Sequence, residues 1–346
     1  MANEQAGKAA LAALSASRDA ALDLAHAAGA RATNDLLRRS AADLEARIRQ
    51  IAPALGEDSF TVVQLRATLA QVRHVLATVT VPGLRSAVVE QGGNAAGASA
   101  QHVVDYLAAA DRAYRGVGEQ PIALRPAAML ESAARGTHSS LLSRLAHGVD
   151  RRGRKARKAK AGILGRYGLE TIGHFEKVLQ RGLVAKRSWI EMRGDITRES
   201  PFLQGAPAFW AHRIVRTEIA TAYGAAAHHS IVEAGKRLDG MLKIISETFD
   251  DRTAWDSYNG SGQVRRPEED FEFVAASGET WLYPHPANRP NDRSALVPHR
   301  ARWPLPDELR PRTDDEVEEA WARERHKGEM PGRPLMSTVG GFGEID

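Results

Sequence analysis

Three residues of the C-terminal third have the side chains that a hydrolytic site needs. His285 could act as a general base, Arg289 could hold a phosphate, and Asp251 could orient the histidine. The same residue types also serve to hold an irregular loop in shape, and the sequence contains no G-x-S-x-G, H-E-x-x-H or P-loop motif. The pattern therefore favours a protein that is not an enzyme, and no cofactor is expected.

The histidines give little indication of a metal site. His228 and His229 are adjacent, so on a helix they point about 100° apart and cannot both bind one ion. His285 and His299 have aspartates near them in the sequence, but their spacings match no zinc signature. The sequence has no cysteine, which excludes disulfides and thiolate ligands. We therefore expect no metal.

The segment HRIVRTEIATAYG, residues 212–224, places two charges beside an apolar helical stripe. On a helical wheel Glu218 falls inside the edge of the stripe, whereas Arg216 lies on its other flank. A partly buried carboxylate needs a cationic partner, because an unpaired buried charge is very costly. Arg216 is on the wrong side of the helix to be that partner, so the cation must come from elsewhere in the chain.

A turn after a predicted strand offers one candidate for this cation. Asp250 and Asp251 would close the strand and accept backbone N–H bonds in the turn that follows. Arg252 could then reach back to Glu218. The predicted Arg252–Glu218 pair would join the helix to the strands, and its role would be structural.

Seven basic residues stand in the segment DRRGRKARKAKAG, residues 150–162. They are Arg151, Arg152, Arg154, Lys155, Arg157, Lys158 and Lys160. On a helix these charges would spread around the whole circumference, so the segment is either a solvated linker or a contact with a polyanion such as DNA. Binding to DNA through it would be independent of sequence and steeply weakened by salt, because neutralised phosphates release counterions.

The elements that would position these residues are helical before residue 240. Helices are predicted over about 1–52, 59–76, 84–114, 126–149 and 207–236. Pro53 would end the first helix, and Asp58 or Ser59 would cap the second. The motif VTVPG, residues 79–83, predicts a joint, and the glycines within residues 91–97 would weaken the third helix.

The region after Gly240 has the composition of strands and turns. Short strands are predicted near residues 241–251, 263–265, 271–274, 279–283 and 296–299. The predicted class is α+β, with an extended, mainly helical N-terminal body, a small C-terminal β module and a terminal helix and tail. The predicted divisions are a helical array at 1–149, a basic linker and helices at 150–204, the motif-bearing module at 205–304, and a charged helix with a Gly-rich tail at 305–346.

Composition limits the class of protein further. The 346 residues are 43% hydrophobic, which is ample for a core, and the formal charge of +4 does not by itself imply nucleic-acid binding. No unbroken apolar run approaches about 18 residues, so no membrane span is expected. The first residues lack a basic segment followed by an apolar one, so no signal peptide is expected.

Taken in order, these segments resemble the phage Mu F-like family, also called the phage head morphogenesis or minor head protein family. The resemblance covers about residues 205–304, and many family members end this module with a Cys-Arg-Cys element where this sequence has VPHRARW, residues 297–303. The matching residues are Arg216, Thr217, Glu218, Tyr223, Asp251, Arg252, Thr253, Gly260, Val264, Phe271, Tyr283, Pro284, Pro286, Asn288, Arg289, Pro290 and Trp303.

The resemblance implies a structural minor head protein in the virion of a tailed phage or a phage-derived particle. Its expected place is the portal vertex or the capsid interior, after assembly in the host cytoplasm, with a part in head assembly and in DNA packaging or ejection. The implied partners are the portal protein, the major capsid protein or both, and packaged double-stranded DNA.

Two alternatives stay open. The first is a nuclease-like or toxin-like effector carried in the particle, since some family members have such a domain after the module, but only about forty residues follow Trp303. The second is a free DNA-binding or regulatory protein.

Overall fold

The computed structural model describes most of the chain. The described residues are 2–55, 60–116, 118–146, 162–198, 206–247, 260–274, 280–286, 294–311 and a few positions between 313 and 322. They form a mainly helical α+β protein with a small antiparallel sheet in the C-terminal region, which confirms the predicted class. None of the described helices is both long enough and apolar enough to cross a membrane.

Seven α-helices are present in the described residues. They are α1 (Ala2–Leu55), α2 (Val62–Val75), α3 (Val81–Tyr114), α4 (Pro126–Ala146), α5 (Ile163–Val184), α6 (Trp189–Arg198) and α7 (Ala206–Gly235). Helix α2 begins one turn later than predicted, because Thr61 and Gln64 form a capping box. The Thr61 hydroxyl accepts from the Gln64 N–H at 3.3 Å, and the Gln64 side chain accepts from the Thr61 N–H at 2.8 Å.

The predicted joint at residues 79–83 was wrong, because helical backbone runs through it. A π turn, Leu76–Thr80, connects α2 to α3, and Pro82 lies in the first turn of α3. The wider turn interrupts the regular hydrogen-bond ladder, so a proline without an N–H is tolerated there. The buried Thr80 hydroxyl donates to the Ser40 hydroxyl at 2.9 Å and ties this turn to α1.

Helix α7 lies at the centre of the helical body. It packs along α1, α3 and α4, and its residues 214–227 are buried except for Arg216. The glycines of the other helices allow close approach. A Cβ atom at Gly29 of α1 would lie 2.8 Å from Val215, and one at Gly92 of α3 would lie 2.9 Å from Leu141 of α4.

The strands lie where the sequence predicted them. They are β1 (Met241–Ser246), β2 (Val264–Arg265), β3 (Phe271–Val274), β4 (Thr280–Tyr283) and β5 (Ala295–Arg300). Strand β1 is central in an antiparallel sheet of order β2-β1-β5, and β3 pairs with β4 in a hairpin. Strand β5 is an edge strand, which admits Pro298, yet all six of its residues are buried because α3 and α7 also contact it.

Two large hydrophobic clusters divide the core of the described residues, and a third, small one of four alanines lies between α3, α4 and α7. The first fills the helical body between α1 to α7 and includes Trp189 and Phe175. The second joins the sheet to the ends of α1, α3 and α7, and it includes Leu107, Ile231 and Phe271. The sheet is therefore seated on the helices through an apolar contact of its own.

The residues after the sheet are described only in part. A short 3-10 helix, Asp307–Leu309, follows Trp303, and Leu309 is buried in the second cluster. The positions described between 315 and 322 are helical, and they lie in the division 305–346 for which a charged helix was predicted. The predicted Gly-rich tail lies outside the described residues.

Candidate functional site

The buried carboxylate predicted from the sequence is paired with a cation from another helix. Glu218 of α7 is 0% exposed, and Arg144 of α4 donates to both of its oxygens at 2.9 Å, from Nε to Oε2 and from Nη2 to Oε1. Burial alone would lower the pKa of the Arg144 guanidinium, but the charge and the hydrogen bonds of Glu218 outweigh burial and raise it. Two parallel charge-assisted hydrogen bonds of this kind fix the helices in one register.

The predicted partner of Glu218 was a different arginine. Arg252, with Asp251 and Thr253, lies outside the described residues, and Arg144 by itself accounts for both carboxylate oxygens. Arg216 is exposed on the far side of α7, as the helical wheel indicated. The wheel showed that a cation was needed, but Arg144 lies 74 residues away in the sequence and no local pattern links it to Glu218.

Tyr223 forms the second tie of α7, this time to α3. Its hydroxyl lies 2.7 Å from Nδ1 of His102, and its backbone carbonyl accepts from the Ser99 hydroxyl at 2.7 Å. Burial raises the pKa of the Tyr223 hydroxyl, so the side chain stays a neutral hydrogen-bonding group. The helical part of the motif thus holds α7 to its neighbours.

Trp303 seats the end of β5 on α3. Its ring is 4% exposed and packs against Tyr114 and His299, each with a centroid separation of 6.0 Å. The neighbouring Arg302 forms ion pairs with Asp111, near the end of α3, at 3.7 Å and with Glu119, which follows α3, at 3.4 Å. The motif tryptophan and its flanking arginine therefore connect the sheet to the helical body.

Sequence reasoning missed a buried amine on the central strand. Lys243 is 0% exposed, and its Nζ donates to the Pro284 carbonyl at 2.8 Å and lies 4.9 Å above the Phe271 ring. No described carboxylate lies within 4.0 Å of it. Burial lowers the pKa of the Lys243 amine to about 8, against the pull of Asp270 and its acidic neighbours.

Three partly buried histidines form a group of which His228 is in contact with this amine. We call His228 and His229 of α7, together with His285 after β4, the imidazole cluster. The His228 ring lies 5.4 Å from that of His229 and 6.3 Å from that of His285, and its Nδ1 is 3.4 Å from Lys243 Nζ. His229 fits only because α4 has Gly136 opposite it, where a Cβ atom would come within 2.3 Å of the ring.

The pKa values of the imidazole cluster are all lowered. Burial is the main cause for each ring, and it lowers the pKa of His228 to about 2 together with the charge of Lys243. It lowers the pKa of His285 to about 4, with a further contribution from Arg144 and against a hydrogen bond to the Pro286 carbonyl at 2.6 Å. The rings are therefore mainly neutral at pH 7, and His285 is close to two cations, Arg144 and Lys243.

The described residues do not assemble the hydrolytic or metal sites that were considered. His285 joins His228, whereas His299 packs on Trp303, and no described group of three or more His, Asp or Glu residues could hold a metal ion. Arg289 and Asp251 lie outside the described residues, as do the seven basic residues between Arg151 and Lys160. Their assignments stay predictions.

A signal for Lys243 was present in the sequence. It stands third in the strand MLKIIS, whose other residues are apolar or small, and a strand of such composition is typically buried on both faces. A charged residue in that position needs polar partners, and here they come from a loop and from α7.

Comparison with family models, with curated proteins and with solved structures gave no match for this chain.

Proposed function

We propose that this chain is a structural minor head protein of a tailed phage or a phage-derived particle, bound at the portal vertex or the capsid interior. The observation that carries the proposal is the ordered series of residues at 205–304 that resembles the minor head protein family. Three side chains of that series serve as ties between elements, since Glu218, Tyr223 and Trp303 connect α7 and the sheet to α3 and α4. Roles of this kind suit a protein that supports assembly, packaging or ejection.

An exposed apolar surface supports binding to a large partner. The bundle tip, as we name it, consists of Val62, Val63, Val184 and Ile190, which are 48%, 59%, 83% and 55% exposed. Phe60, just before α2, contacts residues at the start of α6, and these contacts place the four side chains at one end of the helical body. Its ring stacks on Trp189 at 5.7 Å and its N–H donates to the Arg187 carbonyl at 2.8 Å. Clustered apolar side chains in solvent mark contact surfaces, and we assign this one to the portal protein.

Packaged double-stranded DNA is the second proposed partner, through the basic residues between Arg151 and Lys160. Those residues alternate with small ones and carry no base-stacking aromatic side chains. A contact of this composition binds phosphates without reading a sequence. It suits a protein that lies beside the packaged genome.

The proposal is tested by co-expressing the full chain with the portal protein of the same phage genome and separating the products by size. We expect the chain to elute with the portal ring. Replacing Val184 and Ile190 with Asp should abolish co-elution and leave the helical circular dichroism unchanged, because both side chains are exposed.

Leu24→Asp is the matched control, because Leu24 is 70% exposed on α1. It lies roughly 45 Å along that helix from the bundle tip at the rise of an α-helix. The control should still bind the ring. Failure of the wild-type chain to bind either the portal ring or the major capsid protein would overturn the proposal.

A further inference from the structure

The contact between the sheet and the helices contains an unusual density of groups that accept or carry positive charge. Arg144 of α4 is a partly buried cation and Lys243 of β1 a fully buried one. Both act on His285, and Lys243 also acts on His228. The carboxylate of Glu218 is already bound through both oxygens to Arg144. A new positive charge on His285 would therefore face both cations, and one on His228 would face Lys243, in a partly buried place.

We propose that acidification opens the contact between the three-stranded sheet and helix α7, because the imidazole cluster gains protons beside Lys243 of that sheet. The helical body stays folded while the sheet separates. This inference does not depend on the proposed function, since it concerns only the contacts within the chain.

The groups that act on the cluster can be named element by element within the described residues. Arg144 of α4 and Lys243 of β1 act on the rings themselves. The groups that act on these two cations are Glu218 of α7, Arg265 of β2, Glu268, Glu269 and Asp270 before β3, and Tyr283 of β4. The three acidic residues before β3 favour the charged amine of Lys243, and none of them contributes to the lowered pKa values of His228 and His285. Protonated rings would thus gain no carboxylate partner from this set.

The direction of the pH effect follows from the lowered pKa values. A histidine released into solvent returns to its ordinary pKa of about 6.5, so the open form binds more protons than the closed form below that pH. The closed contact is therefore fully stable above about pH 6.5 and weakens as the pH falls. Lys243, with a pKa of about 8, carries its charge in both forms over this range and contributes no pH dependence of its own.

The opening is local because the two hydrophobic clusters of the core are separate. The imidazole cluster borders the second hydrophobic cluster, through Phe271 below Lys243, and the first hydrophobic cluster lies within the helices. Positive charge gained by the rings at this border weakens the contact between the sheet and the helices. The ladder between β1 and β5 should therefore lose protection before α3 does.

The size of the effect is set by the number of protons taken up. Each histidine that gains a proton on opening raises the open population about tenfold per pH unit below its ordinary pKa. The imidazole cluster supplies up to three such protons, and His299 of β5, whose pKa burial also lowers, supplies a fourth when the sheet separates. We expect between about two and four powers of ten per pH unit near pH 5.

The test is hydrogen exchange of the full chain, read by mass spectrometry between pH 7.5 and 5.0 and normalised for intrinsic exchange rates. Amides of β1 and β5 should open with that steep pH dependence, while those of α3 keep their protection. Replacing His228, His229 and His285 with Gln should reduce the slope to at most one proton, which His299 can supply. His74→Gln, an exposed histidine of α2, is the control and should leave the slope unchanged.

A second variant decides the matter if the triple variant does not fold. Lys243→Met removes one of the two cations, so its sheet should stay closed to a lower pH than that of the wild type. Protection of β1 and β5 that does not change with pH would overturn the proposal. So would simultaneous loss of protection in α3, or a Lys243→Met profile that coincides with the wild type.

Discussion

At the scale of the residue, one buried carboxylate explains much of how α7 is held. A helical wheel placed Glu218 at the edge of an apolar stripe, and this position required a cation from another element. The wheel could not name Arg144, because the pairing of α4 with α7 depends on how distant segments pack. The same limit applies to Lys243, since its partners are a loop carbonyl and a histidine from another element.

A double-mutant cycle tests the Arg144–Glu218 pair. Either Glu218→Ala or Arg144→Ala alone should lower the free energy of unfolding by about 3–5 kcal/mol, because each leaves a buried charge without its partner. The two losses should not add, and the coupling should reach roughly 1–3 kcal/mol. Chemical denaturation followed by circular dichroism gives all of the required values.

Arg216→Ala is the comparison for that cycle, since Arg216 is two residues from Glu218 on the same helix and exposed. Its cost should stay within about 0.5 kcal/mol, as for most surface substitutions. If the losses for the Arg144 and Glu218 changes simply add, the two residues do not interact and the predicted pair is wrong.

At the scale of the element, composition predicted where helices and strands lie but misjudged two interruptions. The proline and glycine of VTVPG indicated a joint, yet a π turn carries the helix through them. The glycines at 91–97 indicated a weak helix, yet α3 is unbroken there and Gly92 lies against Leu141 of α4. In both places tertiary packing outweighs local propensity, and packing cannot be read from a local pattern.

Glycine substitutions separate close packing from propensity. A Cβ atom at Gly93 of α3 would meet nothing within 4 Å, so Gly93→Ala should raise the free energy of unfolding by about 0.5–1 kcal/mol. A Cβ atom at Gly29 of α1 would come within 2.8 Å of Val215 and 2.9 Å of Ile219. Gly29→Ala should therefore lower the free energy of unfolding by about 1–3 kcal/mol, because the added methyl group overpacks the contact.

The two glycine variants control for each other, because both change a helix-interior glycine to alanine. Thermal or chemical unfolding should move their midpoints in opposite directions. Equal shifts of the same sign would mean that the contact between α1 and α7 is looser than the 2.8 Å approach indicates.

At the scale of the whole molecule, the α+β class was predictable and the way its parts join was not. Apolar periodicity and turn residues were sufficient for a helical body followed by short strands. Three features depend on contacts between distant segments. They are the central position of α7, the separation of the two large hydrophobic clusters and the packing of β5 against α3. Three described motif residues, Glu218, Tyr223 and Trp303, lie at these joints.

We propose that this chain is a component of the virion head, at the portal vertex or in the capsid interior. The most direct measurement is cross-linking mass spectrometry on purified particles, with a lysine-reactive reagent. The account predicts that the chain is present in the particles and that Lys186, which follows Val184 of the bundle tip and is exposed, cross-links to the portal protein. Absence of the chain from purified particles, with all of it recovered as free protein in the host lysate, would contradict the account.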